Sequence, residues 1–166
     1  MKRLFSITCI LLLILFVGCK AKELTPEQQA KANEYTRMIE TPDFTFIASN
    51  AQPMRGRTIN LTSDYSLRVT KDTIEAYLPY FGRAYTAPSN PSEGGIKFVS
   101  TDFDYDSVLK KNGTYEIKIT PNDLKKAEQR GTVLYLNISN SGYGSLSVQM
   151  TNKQSISYYG RLETKK

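Results

Sequence analysis

The sequence predicts a mainly β protein: a single antiparallel β-barrel or sandwich of about eight or nine short strands, with a signal peptide and one short helix before it. From Asp43 onward, apolar residues alternate with polar ones, which is the period of half-buried strands. Turn-forming residues separate these runs at short intervals. The connections are too short for the crossover helices that parallel strands need, so neighbouring strands must run antiparallel.

The N-terminus has the organisation of an export signal. Lys2 and Arg3 precede an apolar run from Ile7 to Val17, which ends at Gly18 and Cys19. A membrane-spanning helix would need about 20 apolar residues, and this run is shorter. Residues 1–18 are therefore predicted to be a cleaved signal peptide.

The stretch Leu15–Cys19 resembles the bacterial lipobox, in which the cysteine thiol receives fatty acyl chains such as palmitate. Phe16 departs from the leucine that is usual there, and Cys19 could instead be a plain small hydrophobe within the signal helix. Charged residues begin directly after Cys19, which favours lipidation. Removal of residues 1–18 also removes Cys9 and lowers the net charge from +6 to +4. The mature chain then has one cysteine and cannot form an internal disulfide.

A helix is predicted near the start of the mature chain. Thr25 is a candidate N-cap, Pro26 occupies the first helical position, and good helix formers continue to about Glu40. Residues 19–42 are assigned to a tether and this helix, and residues 43–166 to the β-domain. The apolar stripe is thin, so we expect the helix to pack lightly on the domain or to space it from the membrane. The stripe consists of Ala32, Tyr35, Met38 and Ile39.

The alternating positions predict which side chains of the strands face the core. Two of these runs, near Leu136 and Val148, are expected to be central strands. The predicted inward positions are Phe44, Phe46, Ala48, Ile59, Leu61, Tyr65, Leu67, Val69, Ile74, Ala76, Leu78, Tyr115, Ile117, Ile119, Leu134, Leu136, Ile138, Leu146, Val148, Met150, Ile156 and Tyr158.

Turn signals divide the strands. Thr70–Asp72 and Asn112–Gly113 predict tight hairpins. Ser139–Gly144 and Thr151–Lys153 predict the turns between the last three strands. The stretch Pro121–Ala127 is expected to hold one or two helical turns.

The residue types present exclude several classes of chemistry. The chain contains no His, which excludes Ser-His-Asp and Cys-His catalysis and His-containing metal sites. It also has no Gly-rich phosphate loop, no CxxC pair and no GxSxG motif. A mild positive charge without a Lys/Arg cluster does not indicate nucleic-acid binding. We therefore expect no enzyme activity, no cofactor, no metal and no nucleic-acid partner.

The segment 77–85 (YLPYFGRAY) concentrates aromatic and basic residues. One interpretation makes it the lip of a ligand cavity, where aromatic rings stack on the ligand and the arginine anchors an anion. The alternative is structural: Leu78, Phe81 and Tyr85 plug one end of the sheet, and Arg83 satisfies backbone carbonyls. The candidate ligand-binding residues are Tyr80, Phe81, Arg83 and Tyr85.

Three acidic residues, Asp102, Asp104 and Asp106, are spaced two apart. On a strand they would share one face, where carboxylates can bind Ca²⁺ or act as an acid/base pair. A solvated strand face explains the same spacing without any ligand, and we favour that interpretation.

Motifs along the β-domain point to a known family. The segment 77–85 is followed by Ala87–Pro88, Gly94–Phe98 and Asn152–Gly160. In this order they resemble domain-of-unknown-function family 4251, small predicted lipoproteins of anaerobic Gram-negative bacteria. The resemblance covers roughly residues 43–162. It implies a lipoprotein, and it brings no assigned activity or catalytic residues.

The resemblance also bears on location and modification. In such bacteria, Asp after the lipidated Cys19 would favour the inner membrane and an early acidic run would favour surface display, and residues 20–23 (KAKE) have neither. The resemblance thus implies a lipid anchor in the outer membrane, facing the periplasm. Around Thr73 and Ser107 the sequence resembles the short Asp-Thr/Ser-apolar acceptors of O-glycosylation, which makes these two residues candidate acceptors.

The sequence favours a non-enzymatic, lipid-anchored envelope domain that binds a small molecule or an envelope partner through residues 77–85. The alternative is a structural or assembly accessory of the outer membrane that docks another envelope protein through edge strands or an aromatic patch. A deep apolar cavity near Tyr80 would favour the first function, and a flat aromatic patch the second. A carboxylate-based hydrolase is a remote third.

Overall fold

The computed structural model describes residues 24–85 and 95–164. In this part of the chain, one helix, α1 (Pro26–Glu40), precedes nine strands and a 3₁₀ turn at Ala127–Gln129. The strands are β1 (Phe44–Pro53), β2 (Ile59–Val69), β3 (Ile74–Leu78), β4 (Ile96–Ser100), β5 (Phe103–Leu109), β6 (Tyr115–Pro121), β7 (Val133–Ile138), β8 (Tyr143–Met150) and β9 (Lys153–Glu163).

All nine strands belong to one antiparallel sheet, in the order β4-β3-β2-β1-β9-β8-β7-β6-β5. The two outermost strands, β4 and β5, follow each other in the chain with only Thr101 and Asp102 between them. The sheet therefore returns toward its own beginning at this corner and is nearly closed. The mainly β, antiparallel prediction is confirmed, and the sheet is barrel-like.

The core fills the inside of this sheet in the predicted pattern. Strands β3, β6 and β7 bury alternate residues, and Leu136 of β7 is 1% exposed between β6 and β8. Three predicted inward residues of β2 are only half-buried, namely Ile59, Leu61 and Tyr65. Strand β4 adds Ile96 and Phe98, which the sequence pattern did not identify.

Two glycines lie opposite each other in the middle of the sheet, Gly144 on β8 and Gly160 on β9. A Cβ at Gly160 would overlap the carbonyl oxygen of Ile47, and one at Gly144 the carbonyl oxygen of Asn137. Neighbouring backbones approach too closely here for any side chain. Such a strip without side chains lets strands coil tightly at a barrel corner.

The predicted hairpin turns are confirmed. Thr70–Asp72 connects β2 to β3, and Asn112–Gly113 connects β5 to β6. Gly113 has a φ of 79°, which glycine adopts without strain. The helical turn, in contrast, lies after the expected position, at Ala127–Gln129. Pro121 still belongs to β6 and Asp123 accepts a hydrogen bond from the Thr101 N–H at 3.0 Å, so this stretch is held extended.

Helix α1 begins as predicted and is anchored by its last turn. The Thr25 hydroxyl accepts from the Gln28 N–H at 3.3 Å, and the Gln28 side chain accepts from the Thr25 N–H at 3.0 Å. At the other end Met38 and Ile39 are buried in the sheet's core. The Tyr105 hydroxyl donates to the Ile39 carbonyl at 2.8 Å. Residues 26–31 of α1 are exposed, and contact with the domain begins at Ala32, which is buried.

Candidate functional site

The segment 79–85 leaves β3 and lies along the start of β9. The Tyr85 N–H donates to the Asn152 carbonyl at 2.9 Å, and the Gln154 N–H donates to the Arg83 carbonyl at 3.0 Å. Ala84 forms an antiparallel bridge with Lys153. Main-chain bonds to a neighbouring strand thus fix the path of this segment.

Tyr80 turns back onto the segment itself. Its hydroxyl lies 2.9 Å from the Arg83 carbonyl oxygen and 3.0 Å from the Gln154 carbonyl oxygen. The Lys153 ammonium nitrogen lies 5.1 Å from the centre of the Tyr80 ring, and Gly82 leaves the space that the ring fills. Burial raises the pKa of Tyr80 and lowers the pKa of Lys153. This is the geometry that the structural interpretation expects of Tyr80.

Phe81, Arg83 and Tyr85 have the opposite environment. Phe81 is 44% exposed, Tyr85 is 64% exposed, and Arg83 is also exposed. These side chains therefore do not plug the sheet, in contrast to Leu78, which is fully buried. Phe81, Arg83 and Tyr85, here called the aromatic-basic patch, have the solvent access that a binding surface requires.

A second aromatic group lies at the start of the predicted segment. The Tyr77 ring stacks on Tyr65 with 5.5 Å between ring centres, and the Lys97 ammonium lies 4.7 Å from the Tyr77 ring centre. Tyr65 was expected in the core, and its stacking on the exposed Tyr77 explains its half-buried position. No local sequence pattern reveals this group, because its members come from three different strands.

A groove of about 660 Å³ lies between α1 and the adjoining end of the sheet. Buried apolar residues, among them Phe44 and Leu162, contribute to its lining. No local sequence pattern reveals this groove either, since its residues are scattered from α1 to β9. The charged side chains of the lining are Lys31, Asp43, Arg68, Arg161 and Glu163.

The three candidate aspartates lie at the start of β5 and along its exposed face. Asp104 and Asp106 are exposed on β5, while Phe103 and Tyr105 on its other face are half-buried. The Asn122 side-chain amide lies 3.4 Å from carboxylate oxygens of both Asp102 and Asp104. Among the residues that the structure describes, no group of three acidic or cysteine side chains is placed to hold a metal ion.

The two candidate glycosylation acceptors differ in access. Thr73 is half-buried in the β2–β3 hairpin, where its N–H donates to the Thr70 hydroxyl at 3.1 Å. Ser107 is exposed near the middle of β5.

The predicted signal peptide, residues 1–18, and the candidate lipidation site Cys19 lie outside the described residues. Within residues 24–85 and 95–164, no helix combines the length and the apolar character that a membrane span requires.

Comparison with known proteins places this arrangement in a family. The sequence model described as "Domain of unknown function (DUF4251)" matches residues 26–162. The chain belongs to the DUF4251 family. The match begins at Pro26, so α1 is part of the DUF4251 domain together with the nine strands.

Among solved structures, this chain is similar to one from a member of the same family. It is the crystal structure of a DUF4251 family protein from Bacteroides eggerthii DSM 20697, with a TM-score of 0.57 and 14% sequence identity. The similarity covers 81% of this chain and 90% of that chain. At this identity it shows a shared fold alone. The search of curated proteins found no match.

Proposed function

We propose that this DUF4251 protein is a lipid-anchored, non-enzymatic domain of the bacterial cell envelope that docks another envelope protein through the aromatic-basic patch. The observation that carries this proposal is the solvent exposure of Phe81, Arg83 and Tyr85 on a main chain that is itself fixed to β9. Aromatic and arginine side chains are enriched among the residues that dominate binding energy at protein interfaces.

The patch lies on a fixed main chain, which makes it a better binding surface than a mobile loop. Binding costs free energy when it orders flexible chain, and the bonds from Arg83 and Tyr85 to β9 reduce that cost. The hydroxyl of Tyr80 is occupied by two carbonyl groups, which leaves the three patch side chains to recognise the partner.

The test is cross-linking capture in the protein's own host, comparing the wild type with Arg83→Ala, Tyr85→Ala and the double variant. We expect the double variant to lose most of a specific cross-linked product. Tyr159→Ala is the matched control, since Tyr159 is 50% exposed on β9 and outside the patch. Equal yields from the wild type and the double variant would contradict the proposal.

The lipid anchor rests on Cys19 and the charged residues after it, and we place the protein on the periplasmic face of the outer membrane. Two or three acyl chains bind a membrane far more firmly than one. Cys19→Ala should therefore give soluble or unprocessed protein in cell fractionation. Mature, lipid-labelled protein that stays in the membrane fraction after this change would exclude lipidation at Cys19. Resistance to protease added to intact cells tests the periplasmic face.

A second candidate function is the binding of a small anionic amphiphile in the groove beside α1. The groove combines buried apolar walls with Lys31, Arg68 and Arg161. Lys31 already pairs with Glu27 at 2.8 Å, so the two arginines are the groups expected to bind the anion. Native mass spectrometry of protein purified from its host should then detect a bound small molecule. Arg68→Gln together with Arg161→Gln should remove the adduct while the patch variants retain it.

A further inference from the structure

Strand β5 has a hydrogen-bonded neighbour on one side only, because it is the last strand of the sheet. At one end the Lys110 N–H donates to the Thr114 carbonyl at 2.9 Å, and at the other the Asn122 N–H donates to the Asp102 carbonyl at 2.8 Å. Hydrogen-bonded pairs alternate along an antiparallel ladder. The even-numbered residues from 102 to 110 therefore bond to β6.

The odd-numbered residues direct their N–H and C=O groups to the open side. For Tyr105, Ser107 and Leu109, no main-chain bond to another strand is present in the part of the chain that the structure describes. Ser107 is exposed, and Val108 and Leu109 are 55% and 56% exposed. The exposure of these three residues leaves this half of the strand as an open edge with apolar side chains. Such edges are templates for pairing with another strand.

The sequence of this edge is complementary to itself. Residues 104–110 read Asp-Tyr-Asp-Ser-Val-Leu-Lys. When two copies run antiparallel with Ser107 opposite Ser107, Asp104 of each copy lies opposite Lys110 of the other. On the other face, Tyr105 lies opposite Leu109. Opposite-charge and aromatic–aliphatic cross-strand pairs both stabilise a sheet.

We propose that β5 pairs with β5 of a second copy of this chain across a twofold axis at Ser107, which joins two nine-stranded sheets. The Asp104–Lys110 pairs favour a second copy of this chain as the partner and favour this register of pairing. An axis nearer the start of the strand would place Asp104 opposite Asp106, a repulsive pair. An axis nearer the hairpin would shorten the paired segment. A twofold interface uses the same surface on both subunits, as this edge does.

The Lys110 ion pair within the chain does not compete with this role. Lys110 lies 2.9 Å from Glu116, and both side chains are about half exposed. Surface pairs of this kind contribute about 0 to 1 kcal/mol, and one ammonium group can contact two carboxylates. Lys110 therefore remains available to Asp104 of the second copy.

The first test measures the mass of the full-length protein in detergent by analytical ultracentrifugation, on material whose intact mass shows no glycan on Ser107. We expect a dimer for the wild type and a monomer for Ser107→Pro. The Ser107 N–H points to the open side, so proline removes no bond to β6 and the melting temperature should stay close to that of the wild type. The control is Val108→Pro, which removes a bond to β6 and should lower the melting temperature.

Charge exchange tests the register. Asp104→Lys and Lys110→Asp should each weaken dimerisation by about tenfold, and the double exchange should restore it. As a second readout, Ser107→Cys should form a covalent dimer on mild oxidation, because residues in a hydrogen-bonded antiparallel pair lie about 5.5 Å apart, within disulfide reach. Thr62→Cys, on an exposed position of β2, is the matched control. The wild-type protein, oxidised in the same way, shows how much linkage forms through Cys9 or Cys19.

A monomeric wild type overturns the proposal, as does a Ser107→Pro variant that remains dimeric. A double charge exchange that fails to restore dimerisation, in a variant with unchanged melting temperature, overturns the register. The patch variants Arg83→Ala and Tyr85→Ala should lose the cross-linked partner and keep the dimer. Failure of the proposed function and failure of this inference are therefore distinguishable.

Discussion

Strand β7 and the segment 79–85 bury their side chains by different rules. In β7, Leu134, Leu136 and Ile138 are buried and the residues between them are more exposed. In the segment, burial follows no alternation: Pro79 is buried, Tyr80 half-buried and Phe81 exposed. Strand β7 has ladders on both sides, which fix the direction of every side chain. The segment has a partner on one side, so the bonds of individual side chains decide what is buried.

The largest effect is expected in β7. Leu136→Ala removes a fully enclosed side chain between two paired strands and should lower the free energy of unfolding by about 2 to 5 kcal/mol. Urea or thermal denaturation measures this. A decrease in the free energy of unfolding below about 0.5 kcal/mol would contradict the inward orientation of Leu136 between its two paired strands.

Alkaline pH should next separate Tyr80 of the segment from Tyr158 of β9, whose hydroxyl donates to the Pro79 carbonyl. Burial raises the pKa of Tyr158 far above its usual value and raises that of Tyr80 to a lesser extent. The folded protein holds these protons more tightly than the unfolded chain, whose tyrosines titrate near pH 10. The stabilisation is therefore complete below pH 10 and is lost above it, by up to about 1.4 kcal/mol per pH unit for Tyr158 and by less for Tyr80.

Phenylalanine variants measure this difference. Tyr158→Phe should flatten the fall in stability above pH 10 more than Tyr80→Phe does. Equal slopes in the two variants would show that both hydroxyls lie in similar surroundings and would contradict this prediction.

A smaller effect is expected at Tyr80 at neutral pH. Tyr80→Phe removes the hydroxyl that contacts the Arg83 and Gln154 carbonyls, at a cost of about 0.5 to 1.5 kcal/mol. For a domain of this size that lowers the melting temperature by a few degrees. An unchanged melting temperature would show that these contacts contribute nothing, and the segment would then be held by its main chain alone.

The smallest effect is expected in the aromatic-basic patch. Arg83→Ala and Phe81→Ala should change stability by no more than about 0.5 kcal/mol, since both side chains are exposed. The sequence alone suggested that Tyr80 and Arg83 would respond alike, as core or as site. Thermal unfolding of Tyr80→Phe and Arg83→Ala side by side tests whether the two residues differ in their contribution to stability. A large loss of stability for Arg83→Ala would show that Arg83 has a structural role.

The paired strands were predictable because their signals are local. Alternation identified the buried residues of β3, β6, β7 and β8, and Asn112–Gly113 identified a hairpin. The closure of the sheet was not predictable. It requires the two halves of the sheet to join through β1 and β9, which lie far apart in the chain, before the outer strands β4 and β5 can approach each other.

The candidate site was predictable only in part. The composition of residues 77–85 marks an unusual segment, yet the environment of Tyr80 depends on Gln154, 74 positions away. The open edge of β5 has the same character: it became visible only when the sheet order showed that β5 has one neighbour.

The start of α1 sets how far the domain can move if Cys19 carries lipid. Thr25 caps the helix only six positions after Cys19, and six residues span at most about 20 Å. The domain would then diffuse in two dimensions, close to the membrane surface. Confinement of this kind raises the effective concentration of neighbouring copies, so the β5–β5 dimer would be more fully populated between anchored molecules than in dilute solution.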